Sequence, residues 1–142
     1  MTNAEVVHKW FEEVWNNKRE DAIDELFSET CIAHGLYNAE GKEITGPAQF
    51  KPFFRKFIQS FPDLRIEVKD IVTDGEKTAV RCDVSCTHAG EPFSATEKHL
   101  IQPSQQTFHF SGMAFNIIKN GQLQEGWNSW DFLSLYSQMG VV

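Results

Sequence analysis

Val7, Trp10, Phe11 and Val14 recur at the spacing i, i+3, i+4, i+7 behind a Thr2-x-x-Glu5 capping box, which predicts an amphipathic first helix ending near Asn17. After the polar break at Asn16–Lys18, Ala22, Ile23, Leu26 and Phe27 predict a short second helix, and Cys31–Leu36 a short strand. Gly46-Pro47 opens a third helix with a stripe of Phe50, Phe53, Phe54, Phe57, Ile58 and Phe61, closed by Pro62. Pro52 falls inside that pattern, so the helix is expected either to start nearer Gln49 or to kink. From Leu64 the period changes to two. Leu64, Ile66 and Val68 alternate with charged residues, Asp74-Gly75 makes a turn, and Thr78–His88 returns, the pattern of a β-hairpin. Ala89–Pro103 reads as irregular, with a short strand around Thr96–Ile101. Thr107–Ile118 and Leu123–Trp130 read as strands joined at Asn120-Gly121, and Asp131–Met139 as a closing amphipathic segment. Three helices followed by long antiparallel strands predict an α+β fold, with helices covering one face of a curved sheet.

The length of 142 residues fits one domain over 1–142, large enough to bury a core. A net charge of −7 makes the surface repel phosphate backbones and anionic lipid heads, so neither nucleic acid nor membrane is an expected partner. No window holds the roughly 18–20 consecutive apolar residues of a membrane span, and Met1–Trp15 carries charges where a secretory signal needs an apolar core. A cytoplasmic protein is the expectation. Cys31, Cys82 and Cys86 are odd in number and lack C-x-x-C spacing, which predicts buried free thiols. The histidines are scattered without H-x-H or H-x-x-E spacing, so no metal site and no other cofactor is expected. Twelve Phe and four Trp are more than shape-filling alone needs in so small a chain.

Thr45-Gly46-Pro47, Phe61-Pro62-Asp63, Thr87-His88-x-Gly90, Phe110-Ser111-Gly112, Asn120-Gly121-Gln122-Leu123 and Glu125-x-Trp127-x-x-x-Asp131, followed by Leu135 and Gln138-Met139-Gly140, run in order through nearly the whole chain. In these motifs the sequence resembles the SnoaL-like polyketide cyclases of the nuclear-transport-factor-2-like superfamily. The resemblance implies a cone-shaped α+β barrel, with helices in the concavity of a strongly bent, mainly antiparallel sheet around a deep apolar pocket. It also implies a homodimer through the sheet. In such cyclases an Asp on the last strand and a His on the preceding strand do the acid/base chemistry. The matching positions here are Asn128 and Asn116, amides that hydrogen-bond a carbonyl but trade no proton near neutral pH. Arg81-Cys82-Asp83 is similar to the Arg-x-Asp of limonene-epoxide-hydrolase-like enzymes, whose partner Asp again falls on Asn128.

Arg81 and Asp83 share one strand face, and Val80, Cys82, Val84 and Cys86 the other; the polar face is expected to wall the pocket, or else to carry an exposed ion pair. His34, in the first short strand, is the expected acid/base at the pocket mouth. Asp131 suits either a helix N-cap or a catalytic role. His88 is expected to shape its turn, and His109 to face away from Asn116. Trp127 and Trp130 point to opposite faces by parity, and one of them, Trp127 in the expected site, borders the cavity with Asn128 and Gln124. Phe54 and Phe57 are expected to pack the core and wall the ligand. The leading expectation is a cofactor-independent isomerase, cyclase or hydratase that moves a proton on a hydrophobic oxygenated metabolite, with His34, Asp83 or Asp131 carrying the proton and Arg81 and the amides holding the oxygen. The alternative is a ligand-binding or scaffold module without the acid/base pair.

Overall fold

In a computed structural model that describes residues 1–96 and 98–142, the chain forms helices on one face of a six-stranded mixed sheet. The first helix, α1 (Asn3–Lys9), starts at Thr2, whose hydroxyl accepts the Glu5 N–H at 3.1 Å. It continues as a π-helix over Trp10–Asn16, and the wider turn lets Trp10, Phe11, Val14 and Trp15 all point inward. Asn16 then pairs with an edge strand through its side chain, donating to the Ile66 carbonyl at 2.9 Å and accepting the Ile66 N–H at 2.7 Å. α2 (Asp21–Leu26) runs directly into β1 (Phe27–Tyr37), a longer strand than the Cys31–Leu36 pattern predicts because Phe27 already pairs with Leu123. After β2 (Glu43–Thr45), α3 (Gly46–Ser60) passes Pro52 without ending; Pro52 and Ala48 are exposed, so the proline falls on the outward side of the helix.

β3 (Arg65–Asp74) and β4 (Lys77–Thr87) form the expected hairpin, and β7 (Thr107–Lys119) and β8 (Gln122–Trp130) the second. Between the hairpins, β5 (Phe93–Thr96) and β6 (His99–Ile101) make a separate two-stranded ribbon where one short strand is expected; Glu97, within that expected strand, lies outside the described residues. The large sheet has the order β2-β1-β8-β7-β4-β3, antiparallel except for β1 with β8, and it stays open, with β2 and β3 at its edges. The closing helix α4 (Phe132–Gln138) covers the part of β7 that β8 leaves unpaired. There the Gln138 amide accepts the His109 N–H at 3.2 Å and donates to the His109 carbonyl at 2.7 Å.

The apolar residues of β4, Val80, Cys82, Val84 and Cys86, are buried against the helices, as are Phe50, Phe54 and Phe57 of α3. His88 is wholly buried beside Phe61, and its Nε2 lies 2.9 Å from the Glu91 carbonyl, holding the turn that leads to the ribbon. No helix among the described residues is long and apolar enough to cross a membrane.

Candidate functional site

The helices do not fill the concavity of the sheet. They leave a cavity of about 70 Å³ between the π-helix, α3 and the inner face of the sheet. Most of its wall is aromatic or aliphatic, with Trp10, Phe11 and Trp15 from the π-helix, Phe50, Phe53 and Phe57 from α3, and Phe132 at the start of α4. Phe53, Phe110, Trp130 and Phe132 are only half-buried and mark its open side.

Two side-chain carboxamides interrupt this wall, and the sheet register explains where they sit. On the inner face one row across the strands reads Thr78, Asn116, Gly126, Ala33, the next Val80, Ala114, Asn128, and the next Cys82, Gly112, Trp130. Gly126 and Gly112 make room for their neighbours. A methyl on Gly126 would lie 2.7 Å from Asn116 Oδ1, and one on Gly112 would meet the Trp130 ring at 2.3 Å, so each glycine seats the side chain that crosses it. Asn128 is locked by chemistry: its Nδ2 donates to the His34 carbonyl at 3.2 Å, and its Oδ1 accepts the Trp130 indole N–H at 3.1 Å. Because a carbonyl only accepts and an indole only donates, the amide cannot be turned over. Asn116 is 8% exposed, lines the cavity, and its amide has no hydrogen-bond partner among the described residues. Cys31, also in the wall, is a neutral thiol, since burial pushes it up to about 12.

The expected acid/base groups are elsewhere. Arg81 and Asp83 are on the outer face of the sheet, because the helices cover the apolar side of β4 and the cavity is part of the core itself. Arg81 makes an exposed ion pair with Asp70 at 2.6 Å, and Asp83 stands 4.0 Å from Lys69 beside Glu67 and Ser111. The Arg-x-Asp of an epoxide hydrolase therefore has no access to the cavity. Asp131 is exposed and caps α4, accepting the Ser134 N–H at 3.0 Å. The His34 side chain also points outward, held between Glu125 at 2.6 Å and Glu43 at 3.0 Å and stacked on Trp127 at 5.1 Å. Those hydrogen bonds, Glu125 first and then Glu43, hold its pKa above the ordinary histidine value and favour the imidazolium.

Trp127 is on the outer face too, and Trp130 takes the cavity place expected of it. Strand parity already links Trp130 to Asn128, so this placement was open to sequence reasoning. Gln124 is the extra residue of a β-bulge between Leu123 and Glu125, which reverses the alternation, puts Leu123 in the wall and leaves Gln124 donating to the Lys119 carbonyl at 3.0 Å. Phe54 is sealed in the core against Trp15, and its neighbour Phe53 reaches the cavity instead, beside Phe57 as expected. Among the described residues no group of three or more His, Cys, Asp or Glu comes together to hold a metal.

An open α+β sheet curved around helices, with an aromatic cavity on its inner face, defines a small-molecule pocket fold. The chain belongs to the SnoaL-like polyketide cyclase family, whose model matches residues 5–139. No curated protein matches the sequence. Among solved structures it is similar to wild-type IdmH from Streptomyces antibioticus, with a TM-score of 0.80, 21% identity, and coverage of 99% of this chain and 100% of that one. TsrD from Streptomyces laurentii follows with 0.78, 18%, 98% and 95%. A SnoaL-like polyketide cyclase from Agrobacterium tumefaciens gives 0.72, 17%, 99% and 99%. At these identities the likeness concerns the fold.

Proposed function

We propose that the cavity binds a compact, neutral, hydrophobic molecule bearing a polar oxygen or nitrogen group, and promotes conversions such as ring closure that depend on folding and hydrogen-bonding the substrate. The observation that carries this reading is the wall itself: among the described lining residues there is no carboxylate, imidazole, guanidinium or ammonium, and the polar groups are the amides of Asn116 and Asn128, the Cys31 thiol and the Trp indole N–H groups. A carboxamide polarises a carbonyl in the manner of an oxyanion-hole donor, while nothing in the wall exchanges a proton between pH 5 and 9. The side chains of His34, Asp83 and Asp131 do not reach this cavity; Asp83 and Asp131 instead meet in an outer cleft with Glu67, His109 and Ser111. On the order of five waters fit the cavity at 10–15 Å³ each, so the ligand is a one- or two-ring molecule rather than an extended polycycle.

Native mass spectrometry of the freshly purified protein is expected to show a retained neutral molecule. Titration of a neutral bicyclic probe, followed by fluorescence of Trp10, Trp15 and Trp130, should give a dissociation constant that is flat from pH 5 to 9. A bell-shaped profile would mean that a titrating group reaches the ligand, and would overturn the reading.

The outer face favours a second proposal, a homodimer through the sheet. Val72, Ala79, Phe115, Trp127 and His34 form one row across five strands, and Val72, Phe115 and Trp127 are 69%, 40% and 43% exposed, with Met113 beside them at 59%. A contiguous apolar stripe of this kind marks an association surface. Sedimentation at micromolar concentration should give twice the chain mass of 16.3 kDa, and Trp127→Glu should reduce it to 16.3 kDa without loss of secondary structure. A wild-type protein that sediments as a monomer refutes the pairing.

A further inference from the structure

The polar pole of the cavity has a hydrogen-bonding capacity that the protein itself does not use, and its arrangement selects a kind of ligand. Asn116 presents a whole carboxamide, two N–H donors and a carbonyl acceptor, in an otherwise apolar wall. Leaving a carboxamide unpaired in an apolar wall is unfavourable, and one that faces a cavity points to a partner that comes from outside the chain. Asn128 borders the same spot, since its Nδ2 and Asn116 Oδ1 both approach Gly126, and after its two fixed bonds it keeps one N–H free.

A ligand offering only acceptors would leave the Asn116 carbonyl oxygen unpaired, and one offering only donors would strand its N–H groups. A carboxamide is fully satisfied by an edge that carries a donor and an acceptor side by side, the geometry by which Asn reads adenine. Resting on the reading that the cavity holds a neutral small molecule, we infer that Asn116 grips a ligand edge with an adjacent donor and acceptor, as in an enolised dicarbonyl, a hydroxy-ketone or a lactam. Charged carboxylates and ammonium groups are excluded, because no counter-charge lines the wall.

Two probe pairs, the first isosteric and the second differing by one hydroxyl, test this in the full-length wild-type protein. In the first, 2-tetralone supplies an acceptor alone and 3,4-dihydroquinolin-2-one the same carbonyl with an adjacent N–H. In the second, 1-tetralone is compared with 2-hydroxy-1-tetralone. Tetralin, which has neither group, gives the apolar baseline, and Trp fluorescence reads all five. The expected result is at least a tenfold tighter dissociation constant for the donor–acceptor member of one pair or both, with the advantage abolished in Asn116→Leu. Equal affinities within both pairs, all tighter than tetralin or equal to it, overturn the inference while leaving the cavity reading intact. If none of the five binds, the cavity reading fails and the inference with it. The wild-type comparison needs no variant, so the test stands if Asn116→Leu does not fold; where that variant does fold, an advantage that persists in it also overturns the assignment to Asn116.

Discussion

Gly35→Ala is expected to lower the melting temperature by roughly 10 °C or more, a loss of about 3–5 kcal/mol, and to weaken ligand binding in the protein that remains folded. Two costs coincide at this residue. Its backbone is left-handed, with φ of +85°, and an added methyl would lie 2.3 Å from the backbone oxygen of Asn128 on the adjacent strand. Neither atom can rotate away, so β1 and β8 must separate where Asn128 donates to the His34 carbonyl and where Glu43 accepts the Gly35 N–H at 3.0 Å. Gly41→Ala is the control. Gly41 has a similar φ of +77° but nothing within 4 Å of a new methyl, so it should lose only the left-handed penalty of about 1–2 kcal/mol. The two variants are compared by urea or thermal unfolding. Equal losses would show that the close approach of β1 to β8 is not what Gly35 serves.

The elements that the sequence made legible are those in which the periodicity has one interpretation. The Thr2 cap, the Phe stripe of α3 and the Asp74-Gly75 and Asn120-Gly121 turns are where the patterns place them. Alternation along β4 correctly separates Arg81 and Asp83 from Val80, Cys82 and Val84, but alternation is symmetric and does not say which face the helices cover. The pocket was expected behind polar residues because catalysis needs them. Here the cavity is a gap in the apolar core, and the charged face is outside. The same ambiguity misplaced His34, whose neighbours Ala33 and Cys31 line the cavity while its own ring meets Glu43 and Glu125. Gln124 was misplaced for a different reason, since a one-residue bulge leaves no mark in the alternation and reverses every parity argument that crosses it. The amides were the legible part of the site. The resemblance to the cyclases, followed along the last two strands, directs attention to Asn116 and Asn128, and both line the cavity.

Asn128→Asp, the substitution that would bring a carboxylate to the last strand, is expected to be strongly pH-dependent rather than simply activating. At this position the Nδ2 that donates to the His34 carbonyl at 3.2 Å would become an oxygen facing an oxygen, within a wall that holds no cation. The Trp130 N–H at 3.1 Å favours the carboxylate, but burial and the facing carbonyl oppose it, and together they raise the folded-state pKa above the unfolded Asp value of about 3.9. A protonated carboxyl restores the donor, so the folded form binds a proton that the unfolded form releases. The variant is therefore close to wild-type stability below about pH 4, and loses stability relative to wild type as pH rises through the raised folded-state pKa. By pH 8 the deficit should reach about 1–3 kcal/mol, the penalty for a partly buried carboxylate that faces a carbonyl oxygen instead of donating to it. Urea unfolding of both proteins at intervals from pH 4 to 8 measures this difference directly. A deficit that is constant across the range would mean that the introduced carboxyl ionises freely in contact with water, and that the His34 carbonyl does not select an amide at position 128.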